Sequence, residues 1–432
     1  MHYLLFRSTI CMIAVSLSAS LTACSVINSQ GQNNQKSASA ALVLFSLPFT
    51  PGLSVDYSGR EEPRRGRLLT AQPVWNLPQA YAENFVSQFL GYVKKTLADY
   101  PTLKPQNDII YYDITYETID VNGQIVQASG SVWFPRKAGA LPLLAFCHGT
   151  QLNTDVFGIR IQPGLFAGRG FVSVGPDFLG YGVSGDIDHP YLHAATLASS
   201  TIDSIRAAKK LAEYLGIPLN GKLYVSGVSE GGMAAMATIQ ELEKNYSAEH
   251  PLTAGAPISG PYDLIGTADY YIVPDKSLAS GQLNYMVFMT PVYLEIYSIA
   301  KPASYYIKEP YATWFSVDRY PRPDSAAVSK EMPTDTSGLM TETFIASYRS
   351  GGEAELRNAL DLNTTYRFVP KCSLRMYAAN EDTHVPPKNA DTAQAYFQAH
   401  GAHDTSVMKI TGDHTDSAVP FMVFMLDWFS AL

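Results

Sequence analysis

Long runs of one charge are missing from this sequence. Charged residues make up 16% of its 432 positions, the net charge is −8, and no basic stretch breaks the acidic balance. That removes the electrostatic footprint of a nucleic-acid-binding surface. Cysteine is scarce as well. Of four cysteines, Cys11 and Cys24 lie in the N-terminal segment, leaving Cys147 and Cys372 for the body of the chain. A disulfide scaffold is therefore excluded. Both remaining cysteines flank apolar, strand-like runs, where buried free thiols are expected, with a single bridge as the alternative. No Cys/His/Asp cluster stands at metal-ligand spacing, the Asp382 and His384 pair being too thin by itself, so no metal or organic cofactor is expected. Nor is there an internal repeat, which argues against a solenoid or propeller.

With 46% hydrophobic residues, the composition is that of a globular protein able to bury a sizeable core. The apolar stretch at 8–23 follows His2 and Arg7 and is short for a membrane span but suited to a signal peptide. It ends Leu21-Thr22-Ala23-Cys24, which resembles a bacterial lipobox. Lipidation of Cys24 is the expectation, with residues 24–40 as a polar tether rich in Ser, Asn and Gln. Plain cleavage after Ala23 is the alternative. A lipid anchor would hold the chain at the cell envelope without spanning the membrane; otherwise the protein would be periplasmic or secreted.

Residues 41–107 read as an N-terminal extension wrapped on the surface, with a helical run near 80–97. From about Asp108 onward β-rich runs alternate with helical stretches, the pattern of a mostly parallel sheet covered by helices. Two runs, 109–119 and 124–134, flank Asn122-Gly123, which tolerates the positive φ of a tight turn and predicts an antiparallel pair. Runs at 141–147, 171–175 and 222–225 are apolar enough to be buried on both faces. Residues 194–215 carry Leu197, Ile205, Ala208, Leu211 and Leu215 at helical spacing and read as a crossover helix. Further strands are expected at 252–258, 373–378 and 406–410, eight in all. The sixth and seventh are more than a hundred residues apart, so a helical cap is predicted at 264–370, between core segments 108–263 and 371–432. Its aromatics (Tyr270, Tyr271, Tyr285, Phe288, Tyr293, Tyr297, Tyr305, Tyr306, Tyr311, Trp314) either fill the cap's own core or roof an active site.

Gly227-Val228-Ser229-Glu230-Gly231-Gly232 follows a predicted strand and precedes the helix-like Met233-Ala234-Ala235-Met236-Ala237. A serine in a sharp strand-to-helix turn needs glycines two positions away on either side, because side chains there would collide. The helix starting behind Ser229 also aims N–H groups at the reacting centre. A serine hydroxyl needs a base, and His414 follows the last strand in Ile410-Thr411-Gly412-Asp413-His414. The other histidines are placed less well: His403 precedes that strand, His384 sits beside the proposed acid, His400 ends a helix, and His189, His193 and His250 lie in connecting segments. Asp382, in Asp382-Thr383-His384-Val385-Pro386, is the carboxylate that would fix the imidazole tautomer, with Glu381 as the alternative. Oxyanion donors are expected from the Glu230 amide and from the Thr150 amide, or that of Gln151, after His148-Gly149.

These residues, together with Pro176-Asp177-Phe178-Leu179-Gly180-Tyr181-Gly182 and His189-Pro190-Tyr191, resemble the α/β-hydrolase superfamily, and more narrowly the bacterial esterases related to the secretory lipases. The order Ser, Asp, His along the chain is the order of that fold. The resemblance covers about 108–432. It implies an α/β class fold, an ester substrate held under the cap, and structural bracing near the site from the Asp177 stretch and from Asp203 with Arg206. Two alternatives stay open: a serine peptidase of the prolyl-oligopeptidase type, and a lipid-anchored binding protein that keeps the fold without the chemistry.

Overall fold

The computed structural model describes residues 55–56, 64–273, 282–313 and 330–432. The leader, the tether, Cys24 and Trp314 lie outside the described residues.

Among the described residues ten strands form one sheet: β1 (Val55–Asp56), β2 (Leu68–Leu77), β3 (Ile109–Ile119), β4 (Ile125–Pro135), β5 (Leu141–Cys147), β6 (Val172–Pro176), β7 (Leu219–Val228), β8 (Ala254–Ile258), β9 (Ser373–Ala379) and β10 (Thr405–Ile410). Their order is β1-β2-β3-β4-β6-β5-β7-β8-β9-β10. From β6 to β10 every neighbouring pair is parallel, whereas β1 to β4 and the β4–β6 pair are antiparallel. The β3–β4 hairpin turns where Asn122-Gly123 predicts it, with Gly123 at φ 74°. Asp120 Oδ1 accepts the amides of Asn122 and Gln124, both at 2.8 Å, which makes the turn self-bracing.

The helices are α1 (Gln79–Tyr92), α2 (Ala194–Tyr214), α3 (Glu230–Asn245), α4 (Leu264–Ile272), α5 (Asn284–Ile296), α6 (Glu342–Arg349), α7 (Ala354–Leu362), α8 (Lys388–Ala399) and α9 (Ala418–Ala431), with several single turns between them. Alternation along the central strands sorts the core into two layers. Leu143, Ala145, Leu223 and Val225 face one layer, with Ile202 and Ile205 of α2, Ile239 of α3 and Phe397 of α8. Leu144, Phe146 and Tyr224 face the other, with Phe85 and Val86 of α1 and Phe421, Met425 and Phe429 of α9. Helices therefore cover both faces, as residues buried on alternate sides require. No helix among the described residues is long and apolar enough to cross a membrane.

Two expectations need correction. The N-terminal extension is not simply wrapped on the surface: residues 68–77 form β2, hydrogen-bonded to β3, and Leu68, Ala71 and Leu77 are fully buried. Pro73 hides this strand in the sequence. It is tolerated because the β2–β3 register slips by one residue between Pro73 and Trp75, so the missing N–H falls at a bulge. Secondly, Asp203 and Arg206 brace a region remote from Ser229. Asp203 accepts from Thr118 and Arg65, and Arg206 grips Glu249 just past the C-terminal end of α3, whose other end carries Ser229. The Asp177 stretch does lie by the site. Cys147 and Cys372 are both buried free thiols, and burial raises the Cys147 thiol to about 12.

Between β8 and β9 every described element is a helix or a single turn, apart from the Ile307–Met340 bridge. Tyr271, Phe288, Tyr293 and Tyr306 are buried among Val287, Phe344 and Tyr348, with Tyr270, Tyr285, Tyr297, Tyr305 and Tyr311 packed around them. Most of the aromatic run is thus the core of this insertion. Tyr271 and Tyr285 also reach down to the loop after β9.

Candidate active site

In the order β6-β5-β7 the chain steps from β5 to one side and then back across to the other. That reversal opens a crevice at the carboxyl ends of the strands. Ser229 follows β7, His148-Gly149 follows the adjacent β5, Asp382 follows β9 and His414 follows β10.

Ser229 is the N-terminal cap of α3, at φ 61° and ψ −121°. A positive φ at a non-glycine residue costs about 1–3 kcal/mol. It is held by Ser229 N–H donating to the Ile258 carbonyl at 2.9 Å and by Met233 N–H donating to the Ser229 carbonyl at 3.1 Å. The surrounding glycines are steric necessities. A Cβ at Gly227 would overlap the Gly231 carbonyl and Cys147; one at Gly231 would run into the Cys147 and His148 carbonyls; one at Gly232 would run into that of Ile258. The Gly-x-Ser-x-Gly-Gly spacing is set by the closeness of β5 and β8 to the turn.

His414 Nε2 lies 2.9 Å from Ser229 Oγ, and His414 Nδ1 lies 2.6 Å from Asp382 Oδ2. Asp382 is buried, and its other oxygen accepts the amides of His384 and Val385 at 2.9 and 2.8 Å. With Oδ1 occupied in this way, Oδ2 is aimed at the imidazole. The two loops are also tied to each other, since Asn380 N–H donates to the Ile410 carbonyl and Glu381 N–H to that of Gly412. The Glu381 side chain, the alternative acid, is exposed and has no part in this chain of contacts.

His148-Gly149 passes directly over the Ser229 turn: a Cβ built on Gly149 would sit 3.6 Å from Ser229 Cβ. The buried His148 ring has its nitrogens 2.7 Å from the Gly149 carbonyl and 3.1 Å from the Asp177 carbonyl. Burial pushes its pKa down, and a neutral ring, with a single N–H, donates to one of these two carbonyls. Arg160 and Ser129 in turn hold the Asp177 carboxylate. Thr150 Oγ1 lies 3.0 Å from the Tyr191 hydroxyl, and the Gln151 carbonyl accepts from Tyr181. Thr150 and Glu230 thus flank Ser229 from two elements.

Sequence reasoning missed the side-chain contacts of two residues it had named. Glu230 is entirely buried, and its Oε1 lies 2.7 Å from His189 Nε2, while His189 Nδ1 donates to the Leu179 carbonyl at 2.6 Å. His384 is the second: its ring lies flat on His414. Neither leaves a local signal, because the partners are 41 and 30 positions apart in the chain.

The crystal structure of LipA, a rice cell wall degrading esterase from Xanthomonas oryzae, superposes on this chain at a TM-score of 0.71 and 28% identity, covering 85% of this chain and 97% of LipA. The chain has the α/β-hydrolase fold and is a hydrolase. Structures less similar in sequence share the fold. A Legionella pneumophila protein assigned as a hydrolase matches at a TM-score of 0.75 and 24% identity, over 84% of this chain and 98% of that one. Candida antarctica lipase A in its closed state matches at 0.62 and 15%, over 90% and 86%. No protein-family model and no curated protein sequence matches this hydrolase.

Proposed function

We propose that this hydrolase cleaves carboxylic esters through an acyl-enzyme on Ser229, with His414 as general base, then acid, and Asp382 as its partner. The observation that carries this is the continuous run of contacts from Ser229 Oγ to His414 Nε2 and from His414 Nδ1 to Asp382 Oδ2. His414 takes the hydroxyl proton as Oγ attacks the ester carbonyl, and the buried Asp382 carboxylate stabilises the imidazolium. The developing oxyanion is received by the Glu230 amide at the N-terminus of α3 and by the Thr150 amide, with Gln151 as the neighbouring alternative. His414 then gives its proton to the departing alkoxide, and water, deprotonated by the same nitrogen, releases the acid.

An ester rather than a peptide substrate is supported by the likeness to LipA, named an esterase, and by the N-terminal region. There the described β2 and α1 pack on the sheet that carries Ser229, and the sequence shows no repeat of the kind that the propeller-bearing prolyl-oligopeptidase-like enzymes need. Nitrophenyl esters from acetyl to palmitoyl should be turned over, their relative rates reporting the acyl length the site accepts, with aminoacyl anilides inert. A fluorophosphonate should label the wild-type protein and spare Ser229→Ala. Anilide turnover would move the assignment to a peptidase. Absence of labelling in the intact protein, or equal labelling of Ser229→Ala, would leave a binding protein.

The lipobox-like Leu21-Thr22-Ala23-Cys24 supports an envelope location with Cys24 acylated and the polar stretch behind it as the tether. Cells fed a labelled fatty acid should transfer label to the wild-type chain and not to Cys24→Ala. An unlabelled wild-type chain would remove the anchor.

A further inference from the structure

His384 stands two positions beyond Asp382 and touches the acid, the base and the cap together. Its ring is parallel to that of His414, with centroids 5.0 Å apart and planes within 1°. Its own amide donates to Asp382 Oδ1 at 2.9 Å. The hydroxyl of Tyr285, in the first turn of α5, lies 2.9 Å from His384 Nδ1, and the hydroxyl of Tyr271 on α4 donates to the His384 carbonyl at 2.8 Å. Gln282 adds a bond from its Nε2 to Thr383 Oγ1 at 2.7 Å. Three cap side chains are thus fastened to the two residues that follow the acid.

The direction of the Tyr285–His384 bond follows from the chemistry of the two groups. Burial raises the Tyr285 phenol to about 12, so it stays protonated and donates. Burial first, and the neighbouring His414 second, lower the His384 pKa, so its ring is neutral, accepts at Nδ1 and carries its proton on Nε2. A neutral ring fixed in this way cannot take the proton that His414 must hold. It presents a flat apolar face that stops the His414 imidazole from tilting off the line between Ser229 and Asp382.

We propose that His384 is a positioning residue for His414, and that the Tyr285–His384 hydrogen bond couples the seating of the cap to the orientation of the base. The proposal rests on the reading of His414 as the base. With the cap seated, His384 is held flat and the base is aligned for attack. With α5 displaced, His384 loses its acceptor bond and His414 gains freedom to swing. Alignment losses of this kind appear in kcat rather than in substrate affinity.

The test is a double-mutant cycle on Tyr285→Phe and His384→Phe with a short-chain nitrophenyl ester, read together with the rate of fluorophosphonate labelling. His384→Phe keeps a flat ring against His414 but cannot accept the bond. Each single variant should lower kcat about tenfold, with KM within about twofold of wild type, and should slow labelling by a similar factor. The double variant should be no slower than the slower single, because both remove the same bond. Effects that multiply in the double variant, a change confined to KM, or labelling at the wild-type rate would overturn the proposal. Tyr285→Phe deletes a single hydroxyl and decides the question even where His384→Phe fails to fold. The two readings fail differently. If His414→Ala keeps full hydrolysis, the base assignment itself falls. If His414→Ala is dead while Tyr285→Phe and His384→Phe are normal, only the positioning role falls.

Discussion

Ser229→Ala and His414→Ala are each expected to lower kcat by a factor on the order of 10⁵ to 10⁶, and the double variant by no more than either alone. The equality is the informative part. A serine hydroxyl without a base is inert, and a base whose partner Oγ, 2.9 Å away in the wild type, has been removed has no proton to take; the first substitution therefore destroys what the second would remove. The folded state should survive both. Alanine at 229 would keep the φ of 61° that serine already endures, and the residue is only half-buried, so the strain is unchanged and little packing is lost. Melting temperatures within a few degrees of wild type would check this. If the two single losses multiply, Ser229 and His414 act in separate steps and the acyl-enzyme mechanism is wrong.

Asp382→Asn should cost about 10⁴-fold in kcat while leaving KM and stability nearly unchanged. Asparagine can keep the carbonyl oxygen that accepts the His384 and Val385 amides, so the loop after β9 stays in place. What changes is the atom facing His414 Nδ1, now an NH₂ donor 2.6 Å away where a carboxylate oxygen stood. The imidazole must then carry its proton on Nε2 and point a donor, not an acceptor, at Ser229. Asp382→Ala would lose the loop bonds as well and should melt earlier, which separates the electrostatic part of the role from the structural one. Glu381→Gln serves as the control, because its carboxylate is exposed and its amide bond to Gly412 is untouched by the change. It should stay within about twofold of wild-type kcat, as surface substitutions away from such features do. A 10⁴-fold loss in Glu381→Gln, with Asp382→Asn active, would reverse the assignment.

The legible parts of this molecule are those whose cause is local. Strands β3 to β10 announce themselves as apolar or alternating runs, α2 through its helical spacing, and the β3–β4 turn through Asn122-Gly123, because each pattern follows from a backbone period or a single tolerated φ. The helical insertion showed as a gap too long for a crossover. Strand β2 did not show, because Pro73 breaks its pattern and is acceptable only at the bulge where the register slips between Pro73 and Trp75. The aromatic stretch of the cap could be read as core or as roof. The fold uses most of it as core, and nothing in periodicity separates the two uses.

The sequence by itself determined the strand-turn-helix around Ser229, the glycines that turn requires, and the order in which Ser229, Asp382 and His414 follow their strands. These are properties of short segments, where steric limits act between near neighbours. The tertiary structure alone decided that Glu230 is buried against His189, that Asp382 rather than Glu381 faces His414, and that the Tyr285 hydroxyl meets the ring of His384 across 99 positions of chain. Such contacts are selected by the packing of whole elements against the sheet. A pair brought together that way leaves no spacing in the chain from which it could be read.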